Sequence, residues 1–309
     1  MGRPFGKRSL SSHRGTGYGT HSPYLRPMQV ELVKTSGFCF GVRRAVRMVE
    51  EALKRADGPV YTLGPLIHNP QMVSHMEEKG AKVIGPQDRV PPGVVVIRSH
   101  GVAPQVKESL EAQGHRILDA TCPFVRNAQM YARSLWEEGY KVVIVGKRGH
   151  EEVEGILGYT EGNAEVIWEP EEVMSLGELS QVGVVAQTTT PFEIFSEVVG
   201  ELLRRARHLK VYNTICDSTA KRQEETVALA RRADVMIVVG GRNSANTTRL
   251  AEMCRKLKKP TYHIETADEL RREWVEGASL VGVSAGASTP DWIIREVLEN
   301  LNLWSEGGK

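Results

Sequence analysis

The chain has 309 residues, of which 25% are charged and 40% hydrophobic, a composition ordinary for a soluble globular protein. Its length suits two or three domains, and no apolar run approaches the roughly 18 residues that a membrane-spanning helix needs. The formal charge of +2 comes from the first 27 residues, which carry five basic side chains and no acid, while the remainder holds 35 basic and 38 acidic residues. This balance disfavours nucleic acid as a partner, because the basic surface of a nucleic-acid binder should belong to its fold.

Residues 1–27 are rich in Gly, Ser and Arg and lack apolar periodicity, which predicts a disordered N-terminal extension. They lack the apolar core of a secretory signal and resemble a transit peptide only weakly. We favour a start codon assigned too early, or residues added for expression, and expect order to begin near Met28. Four cysteines without close pairing argue against disulfides, so a cytoplasmic location is predicted.

Short β-branched runs bounded by Gly or Pro alternate with helical stripes along the rest of the chain. In chain order, strands are predicted at Val30–Lys34, Pro59–Leu63, Lys82–Ile84, Val94–Arg98, Arg116–Leu118, Lys141–Val145, Glu165–Trp168, Val182–Ala186, Lys210–Tyr212, Asp234–Val239, Thr261–Ile264 and Leu280–Ser284. This alternation predicts an α/β fold with mostly parallel sheets.

Three cysteines, Cys39, Cys122 and Cys216, each directly precede a predicted helix. They lie 83 and 94 residues apart, and 93 residues follow the last, so three similar domains are predicted. The predicted domains are residues 28–121, 122–215 and 216–309, the last with a C-terminal tail.

A cysteine at a helix N-terminus faces unpaired N–H groups and the positive end of the helix dipole, and both favour the thiolate. Three thiolates around one point would make a metal or iron–sulfur site with an open coordination position. The alternative is that each cysteine is a small buried hydrophobic residue, which is the commoner role. Cys254 is interpreted in that way, because it shares a helical face with Leu250, Met253 and Leu257.

Polar residues follow six of the predicted strands, and ligands of parallel α/β sheets bind at such carboxyl ends. The segments are His68-Asn69, Ser99-His100-Gly101, His150-Glu151-Glu152, Gln187-Thr188-Thr189, Asn243-Ser244-Ala245-Asn246 and Ala287-Ser288. They fall two to each predicted domain and predict a shared central pocket. No GxxxxGK[ST] is present and no GxGxxG follows the first strand, so nucleotide-binding loops are disfavoured.

The side chains of these segments indicate phosphate binding and proton transfer. Ser244, Asn246 and Ser288 offer uncharged groups on loops, where helix N-termini add backbone donors for phosphate. His150 and Glu152 form a plausible proton-delivery pair. Each signal has a plainer interpretation: a strand-end histidine is more often structural, and residues 243–246 can equally be a helix cap.

Together, these segments resemble the 4-hydroxy-3-methylbut-2-enyl diphosphate reductases of the non-mevalonate isoprenoid pathway. The resemblance runs from about Val30 to Leu301 and rests on the motifs GFCFGV, HN, SHGV, DATCP, GHEEVEG, QTT, IC…RQE, NSANTTRL and SAGASTPD in order. It implies a trefoil of three pseudo-equivalent α/β domains around a central cavity. It also implies reductive dehydroxylation of the allylic diphosphate to isopentenyl and dimethylallyl diphosphate, with ferredoxin or flavodoxin as electron donor.

The resemblance further implies a [4Fe–4S] cluster on Cys39, Cys122 and Cys216, with a fourth iron that has no protein ligand and receives the substrate hydroxyl. Glu152 is then expected to supply a proton and Thr188 to orient it. The expected diphosphate cradle consists of His68, His100, Ser244, Asn246 and Ser288, with Thr189 nearby. His150 is expected near both the diphosphate and the proton path, and Thr188 is expected to contact the substrate as well.

One departure is Ala245, where some family members carry serine. If that hydroxyl contacts phosphate, the bond lost here is worth about 1.5–3 kcal/mol unless a backbone N–H replaces it. Two other functions stay open at this point. One is a zinc hydrolase with three cysteine ligands, and the other is a binding module whose basic N-terminal extension contacts nucleic acid.

Overall fold

The computed structural model describes residues 28–306; the extension predicted to be disordered lies outside them. All twelve predicted strands are confirmed, with ends that differ by at most two residues. The strands are β1 Gln29–Leu32, β2 Val60–Leu63, β3 Ala81–Ile84, β4 Val94–Ile97, β5 Arg116–Asp119, β6 Lys141–Val145, β7 Glu165–Ile167, β8 Gln181–Ala186, β9 His208–Val211, β10 Val235–Val239, β11 Thr261–Ile264 and β12 Leu280–Ala285.

Helices connect the strands throughout the described part of the chain. They are α1 Phe40–Arg55, α2 Pro70–Glu78, α3 Pro104–Ala112, α4 Pro123–Glu137, α5 Glu151–Leu157, α6 Phe192–Arg205, α7 Asp217–Arg232, α8 Ala245–Lys256 and α9 Asp291–Ser305, with short 3-10 helices at Gly158–Thr160, Pro170–Leu176, Ala267–Glu269 and Arg272–Trp274. None of the helices within residues 28–306 is long and apolar enough to cross a membrane.

The strands form three four-stranded sheets with the same internal order. The first unit has the order β3-β2-β4-β5, the second β7-β6-β8-β9 and the third β11-β10-β12-β1. All strand pairs in these sheets are parallel. The predicted α/β class with three pseudo-equivalent parallel sheets is therefore confirmed.

The first strand belongs to the sheet of the third unit. β1 pairs with β12 from Gln29 opposite Leu280 to Leu32 opposite Val283. The predicted boundaries at residues 122 and 216 stay a prediction, but the first predicted domain, residues 28–121, gives its opening strand to the last sheet. Each unit thereby obtains four strands, and the chain closes into a ring of three.

The helix that follows each of the three cysteines packs on the next sheet of the ring. Helix α1 buries one apolar face, including Val46 and Val49, against Val94 of β4. In the same way α4 packs on β6 and β8 of the second unit, and α7 packs on β10 of the third. Because the fourth strand of one sheet leads into a helix on the next, the three cysteines lie where the chain crosses between units.

Candidate active site between the three units

A cavity of about 740 Å³, counted with the space at its mouth, lies between the three units. Its walls include every residue for which the sequence predicts a role in binding or catalysis. These are Cys39, His68, His100, Cys122, His150, Glu152, Thr188, Thr189, Cys216, Ser244, Asn246 and Ser288. The fold therefore brings the separate strand ends to one pocket, as predicted. The role of each residue stays a prediction.

The three cysteines are held by equivalent backbone hydrogen bonds. The N–H of Cys39 donates to the carbonyl of Ala287 at 3.2 Å, that of Cys122 to Ser99 at 2.9 Å, and that of Cys216 to Thr188 at 2.9 Å. Each carbonyl belongs to the second residue after the strand that is third in the spatial order of its sheet. These strands are β12, β4 and β8. Each cysteine is thus fixed to a loop that carries polar residues of the cavity.

The cysteines of the cavity are half-buried and free of disulfides, whereas Cys254 is fully buried in the core of the third unit, as predicted. Burial raises the pKa of Cys122 to about 11, and the nearby Cys39 and Cys216 raise it further, while the N–H groups of Phe124 and Val125 oppose the shift. The expected preference for the thiolate at a helix N-terminus is therefore outweighed at Cys122. A thiol with so high a pKa loses its proton at neutral pH when it binds a metal.

The spacing of the sulfurs argues against one zinc ion held by all three. Among the described residues, the only set of three His, Cys, Asp or Glu side chains with ligand atoms all within 4.8 Å is His68, His100 and Glu151. Three thiolates on one tetrahedral zinc would have sulfurs about 4 Å apart. The three cysteine sulfurs are spaced more widely than this, and the cavity wall around them also contains Val42 and Val125. This wider spacing fits a multinuclear iron–sulfur group better than a single zinc ion.

A buried arginine lies beside the cysteines; the motif IC…RQE contains it, but no role was predicted for it. Arg222 of α7 is 3% exposed, and its Nη1 donates to the carbonyl of Ala285 at 2.7 Å. Burial lowers its pKa, while the proximity of Cys39 and Cys216 raises it. A guanidinium at this position would offset the negative charge of thiolates bound to a metal.

Close packing at Gly41 sets the position of Cys122. A Cβ atom added at Gly41 would lie 2.5 Å from the Sγ of Cys122, which is too close for any side chain. The glycine in the GFCFG segment therefore lets the start of α1 approach the neighbouring cysteine.

Glu152 is a buried acid held by one residue. It is 2% exposed, its Oε1 accepts from the backbone N–H of Thr188 at 2.6 Å, and its Oε2 accepts from the hydroxyl of Thr188 at 2.9 Å. Burial raises its pKa to about 7, and the two bonds from Thr188 moderate the rise. A carboxyl in this state can hold or release a proton at neutral pH.

Three imidazole rings meet in the cavity. The ring centroids of His68 and His100 are 4.3 Å apart, and that of His150 lies 5.7 Å from the first and 5.9 Å from the second. Burial lowers the pKa of all three rings, that of His150 to about 4. The Nδ1 of His150 accepts from the N–H of Glu152 at 3.1 Å, so in the neutral ring Nε2 carries the proton.

The third unit contributes uncharged groups. Ser244 caps α8 by accepting from the N–H of Thr247 at 3.4 Å, so the helix-cap interpretation holds for this residue. The hydroxyl of Ser288 donates to the carbonyl of His68 at 3.1 Å and joins the third unit to the first. Asn246 is buried, and neither its Oδ1 nor its Nδ2 has a hydrogen-bond partner. A buried amide without partners is costly, so Asn246 is the clearest candidate for a ligand contact.

Comparisons with known proteins agree with this architecture. A family model described as LytB protein matches residues 30–302. The chain is 50% identical over 274 residues to a protein of Geobacter sulfurreducens named 4-hydroxy-3-methylbut-2-enyl diphosphate reductase, covering 89% of this chain and 97% of the relative. A protein of the same name from Aquifex aeolicus is 45% identical over 283 residues, covering 91% and 98%.

Two solved structures resemble the fold. One is (E)-4-hydroxy-3-methyl-but-2-enyl diphosphate reductase, described as the terminal enzyme of the non-mevalonate pathway, with a TM-score of 0.69, 45% identity, and coverage of 89% of this chain and 99% of the other. The other is the E-1-hydroxy-2-methyl-but-2-enyl-4-diphosphate reductase of Plasmodium falciparum, with a TM-score of 0.83, 26% identity, and coverage of 90% and 88%.

Proposed function

The chain belongs to the LytB protein family, and from this premise we propose that it reduces (E)-4-hydroxy-3-methylbut-2-enyl diphosphate to isopentenyl diphosphate and dimethylallyl diphosphate. The protein is an oxidoreductase, and the reaction consumes two electrons and two protons and releases water. The observation that carries the proposal is the cavity itself. It brings together, from three units, three cysteines, a buried acid and several side chains that can donate hydrogen bonds to a phosphate.

We assign Cys39, Cys122 and Cys216 as the ligands of a [4Fe–4S] cluster, in which one iron has no protein ligand. Such a cluster would supply electrons one at a time and a Lewis acid for the substrate oxygen. Their convergence on one cavity and the buried cation Arg222 support this assignment.

Glu152 is the proposed proton donor to the departing hydroxyl. Hydroxide is a poor leaving group, and a proton delivered to its oxygen lets it leave as water. With a pKa of about 7, the carboxyl is protonated in a large share of molecules at neutral pH. Thr188 holds both carboxyl oxygens through its N–H and its hydroxyl, and so fixes the direction in which the proton is presented.

The diphosphate is proposed to bind to the histidines and to the polar loops of the third unit. The rings of His68, His100 and His150 line the cavity, and Ser244, Asn246 and Ser288 add hydroxyl and amide groups. Both amide atoms of Asn246 are free for such a contact. Because the diphosphate is remote from the breaking C–O bond, its binding energy serves to orient the reacting end.

An acidic electron carrier, such as a ferredoxin or flavodoxin, is the proposed donor. Phe40 directly follows Cys39 and is 64% exposed, and the exposed Arg43 and Arg47 lie on the same helix. An aromatic side chain surrounded by arginines beside a cysteine ligand suits a negatively charged redox protein. A cytoplasmic location agrees with such a donor and stays a prediction.

This docking surface is tested by charge reversal. Arg43→Glu with Arg47→Glu should raise the KM for a reduced acidic ferredoxin about tenfold at low salt and weaken its salt dependence. Activity driven by reduced methyl viologen should not change. Arg55→Glu is the matched control, because it lies on the same helix about 18 Å from Arg43. An equal loss with both reductants would refute the docking surface.

The function itself is tested with protein purified without oxygen. The protein should be brown and contain acid-labile sulfide, and with methyl viologen as reductant it should convert the hydroxylated diphosphate into the two isomeric products. Chromatography of the dephosphorylated products gives the outcome. A colourless protein with one zinc ion per chain and no conversion would refute the proposal.

A further inference from the structure

The walls of the cavity lack permanent positive charge. No lysine or arginine lies among the described residues that line it, although the proposed substrate carries a diphosphate. The groups that can become positive there are the rings of His68, His100 and His150. The charge that meets the diphosphate therefore depends on protonation of these rings.

A carboxylate outside the cavity wall faces two of these rings. The Oε2 of Glu151 lies 3.7 Å from the Nε2 of His68 and 3.5 Å from the Nδ1 of His100. All three atoms are buried, and none of them has a hydrogen-bond partner. The opposite nitrogens, Nδ1 of His68 and Nε2 of His100, are left for a ligand in the cavity.

Arg98 keeps this carboxylate in place. Its Nη1 donates to the Oε1 of Glu151 at 2.6 Å, so the other oxygen stays directed at the rings. Gly64 makes room for the guanidinium, since a Cβ atom there would lie 2.5 Å from the same Nη1. The pair is partly buried, so solvent screens it less than a surface ion pair.

The charged and titratable groups facing the rings are Glu151, Arg98, Lys147 and the rings themselves. Burial lowers the pKa of both His68 and His100. At His68, Glu151 opposes the shift and Arg98 adds to it. At His100, the rings of His68 and His150 and then Arg98 add to the lowering. For His150, burial, His68 and Lys147 lower the pKa. These shifts favour the neutral form of the rings as long as no anion is bound in the cavity.

A neutral imidazole has one donor nitrogen and one acceptor nitrogen, whereas a carboxylate and a phosphate both only accept. A ring that lies between Glu151 and a phosphate oxygen can satisfy both only as an imidazolium. Resting on the proposed function, we propose that the substrate diphosphate binds together with protons taken up by His68 and His100, and that Glu151 is the positioning residue that holds the far N–H of these rings.

A metal ion on the same three atoms is the competing explanation, since their mutual distances allow one. The guanidinium of Arg98 stands against it, because it already neutralises Glu151 and would repel a second cation at short range. A proton on each ring satisfies the carboxylate without bringing in another ion.

Calorimetry measures the proton uptake directly. The oxidised holoenzyme is titrated with the substrate diphosphate, without reductant and without oxygen, in buffers of different ionisation enthalpy at pH 7.5. We expect uptake of about one to two protons per diphosphate, and a Kd that rises up to about tenfold per pH unit for each proton taken up. Affinity falls as pH rises, because the protons come from solution.

Glu151→Gln should lower the uptake by about one proton and flatten the dependence of Kd on pH, with binding at pH 7.5 about tenfold weaker. Iron content should stay unchanged. Glu154→Gln, three residues further along α5 on its exposed side, is the matched control.

Several results would overturn the proposal. Wild-type binding without proton uptake would exclude it even if the variant fails to fold. Unchanged uptake in Glu151→Gln would remove the role of that residue. One divalent ion per chain beyond the cluster iron, lost in Glu151→Gln, would establish the metal site in its place. Absence of any diphosphate binding by the wild-type protein would instead refute the proposed function.

Discussion

The sulfur-lined and the polar parts of the cavity are both built from equivalent positions of the three units. The sulfur-lined part has the same residue type at each position, whereas the polar part has different residue types. At the sulfur end, each unit crossing supplies one cysteine, fixed by the same backbone bond to the same loop position. At the polar end, equivalent strand ends carry two histidines in the first unit, a histidine, an acid and a threonine in the second, and serine and asparagine in the third. Three equivalent ligands of the proposed cluster would need this repetition, whereas the proposed substrate, with a hydroxyl at one end and a diphosphate at the other, would need different side chains.

The largest expected effect on activity comes from replacing one of the three cavity cysteines. Cys122→Ser should abolish cluster binding and reduce activity to background, because two thiolates cannot retain the cluster. Iron and acid-labile sulfide per chain provide the measurement. Cys254→Ala is the control, since this cysteine lies in the core of the third unit and should keep full iron content. Undiminished iron in Cys122→Ser would exclude this residue as a ligand.

The next largest effect on activity comes from replacing the carboxyl group of Glu152. Glu152→Gln should lower kcat about 10²–10⁴-fold while KM and iron content stay close to wild type, because the carboxyl proton is lost and the shape is kept. Steady-state kinetics with methyl viologen measure both constants. Loss of the cluster in this variant would show that the assigned role is wrong.

The pH profile gives an independent check on Glu152. A carboxyl with a pKa raised to about 7 is protonated below that pH, so kcat should be flat at lower pH and fall as pH rises through about 7. The descending limb should disappear in Glu152→Gln. If the kcat of the wild-type protein instead rises with pH through pH 7, Glu152 acts as a base.

A smaller effect is expected from one amide in the polar part. Asn246→Ala should raise the Kd for the diphosphate about 10- to 100-fold, because a hydrogen bond to a charged group is worth about 1.5–3 kcal/mol. Asn243→Ala, on the exposed part of the same loop, is the control. Equal affinities of the two variants, measured by calorimetry, would leave Asn246 without a role in binding.

The smallest effect concerns Ala245, the first residue of α8 and part of the cavity wall. Ala245→Ser should tighten diphosphate binding about threefold to tenfold. The gain is modest because the free N–H groups of the first turn already offer donors at this place. Weaker binding in this variant would mean that the backbone contact excludes a side-chain hydroxyl.

Much of the fold was predictable because its signals are local. The β-branched runs and their glycine boundaries fixed twelve strands to within two residues, and the small polar residues after the strands marked the cavity. The partner of β1 was not predictable, since nothing in Gln29–Leu32 indicates pairing with a segment about 250 residues away.

The missed site residues depend on contacts between distant segments. Glu151 lies in the segment His150-Glu151-Glu152 that was predicted at the cavity, and Arg222 lies in the motif IC…RQE. Charged residues are usually exposed, so no role was predicted for either. Their roles follow from burial beside Cys39 and Cys216 in one case, and from pairing with Arg98 in the other. The state of Cys122 likewise depends on burial, which the helix-terminus argument from sequence does not contain.

The pairing of β1 with β12 also orders events during synthesis. The edge strand β1 is the first strand of the third sheet to be synthesised, but its partner, Leu280–Ala285, is the last strand of that sheet to be synthesised. The loop that fixes Cys39 through the carbonyl of Ala287 emerges equally late. The corner of the cavity that contains Cys39 therefore cannot form until β12 and Ala287 have been synthesised, so insertion of the proposed cluster would follow synthesis of the third unit.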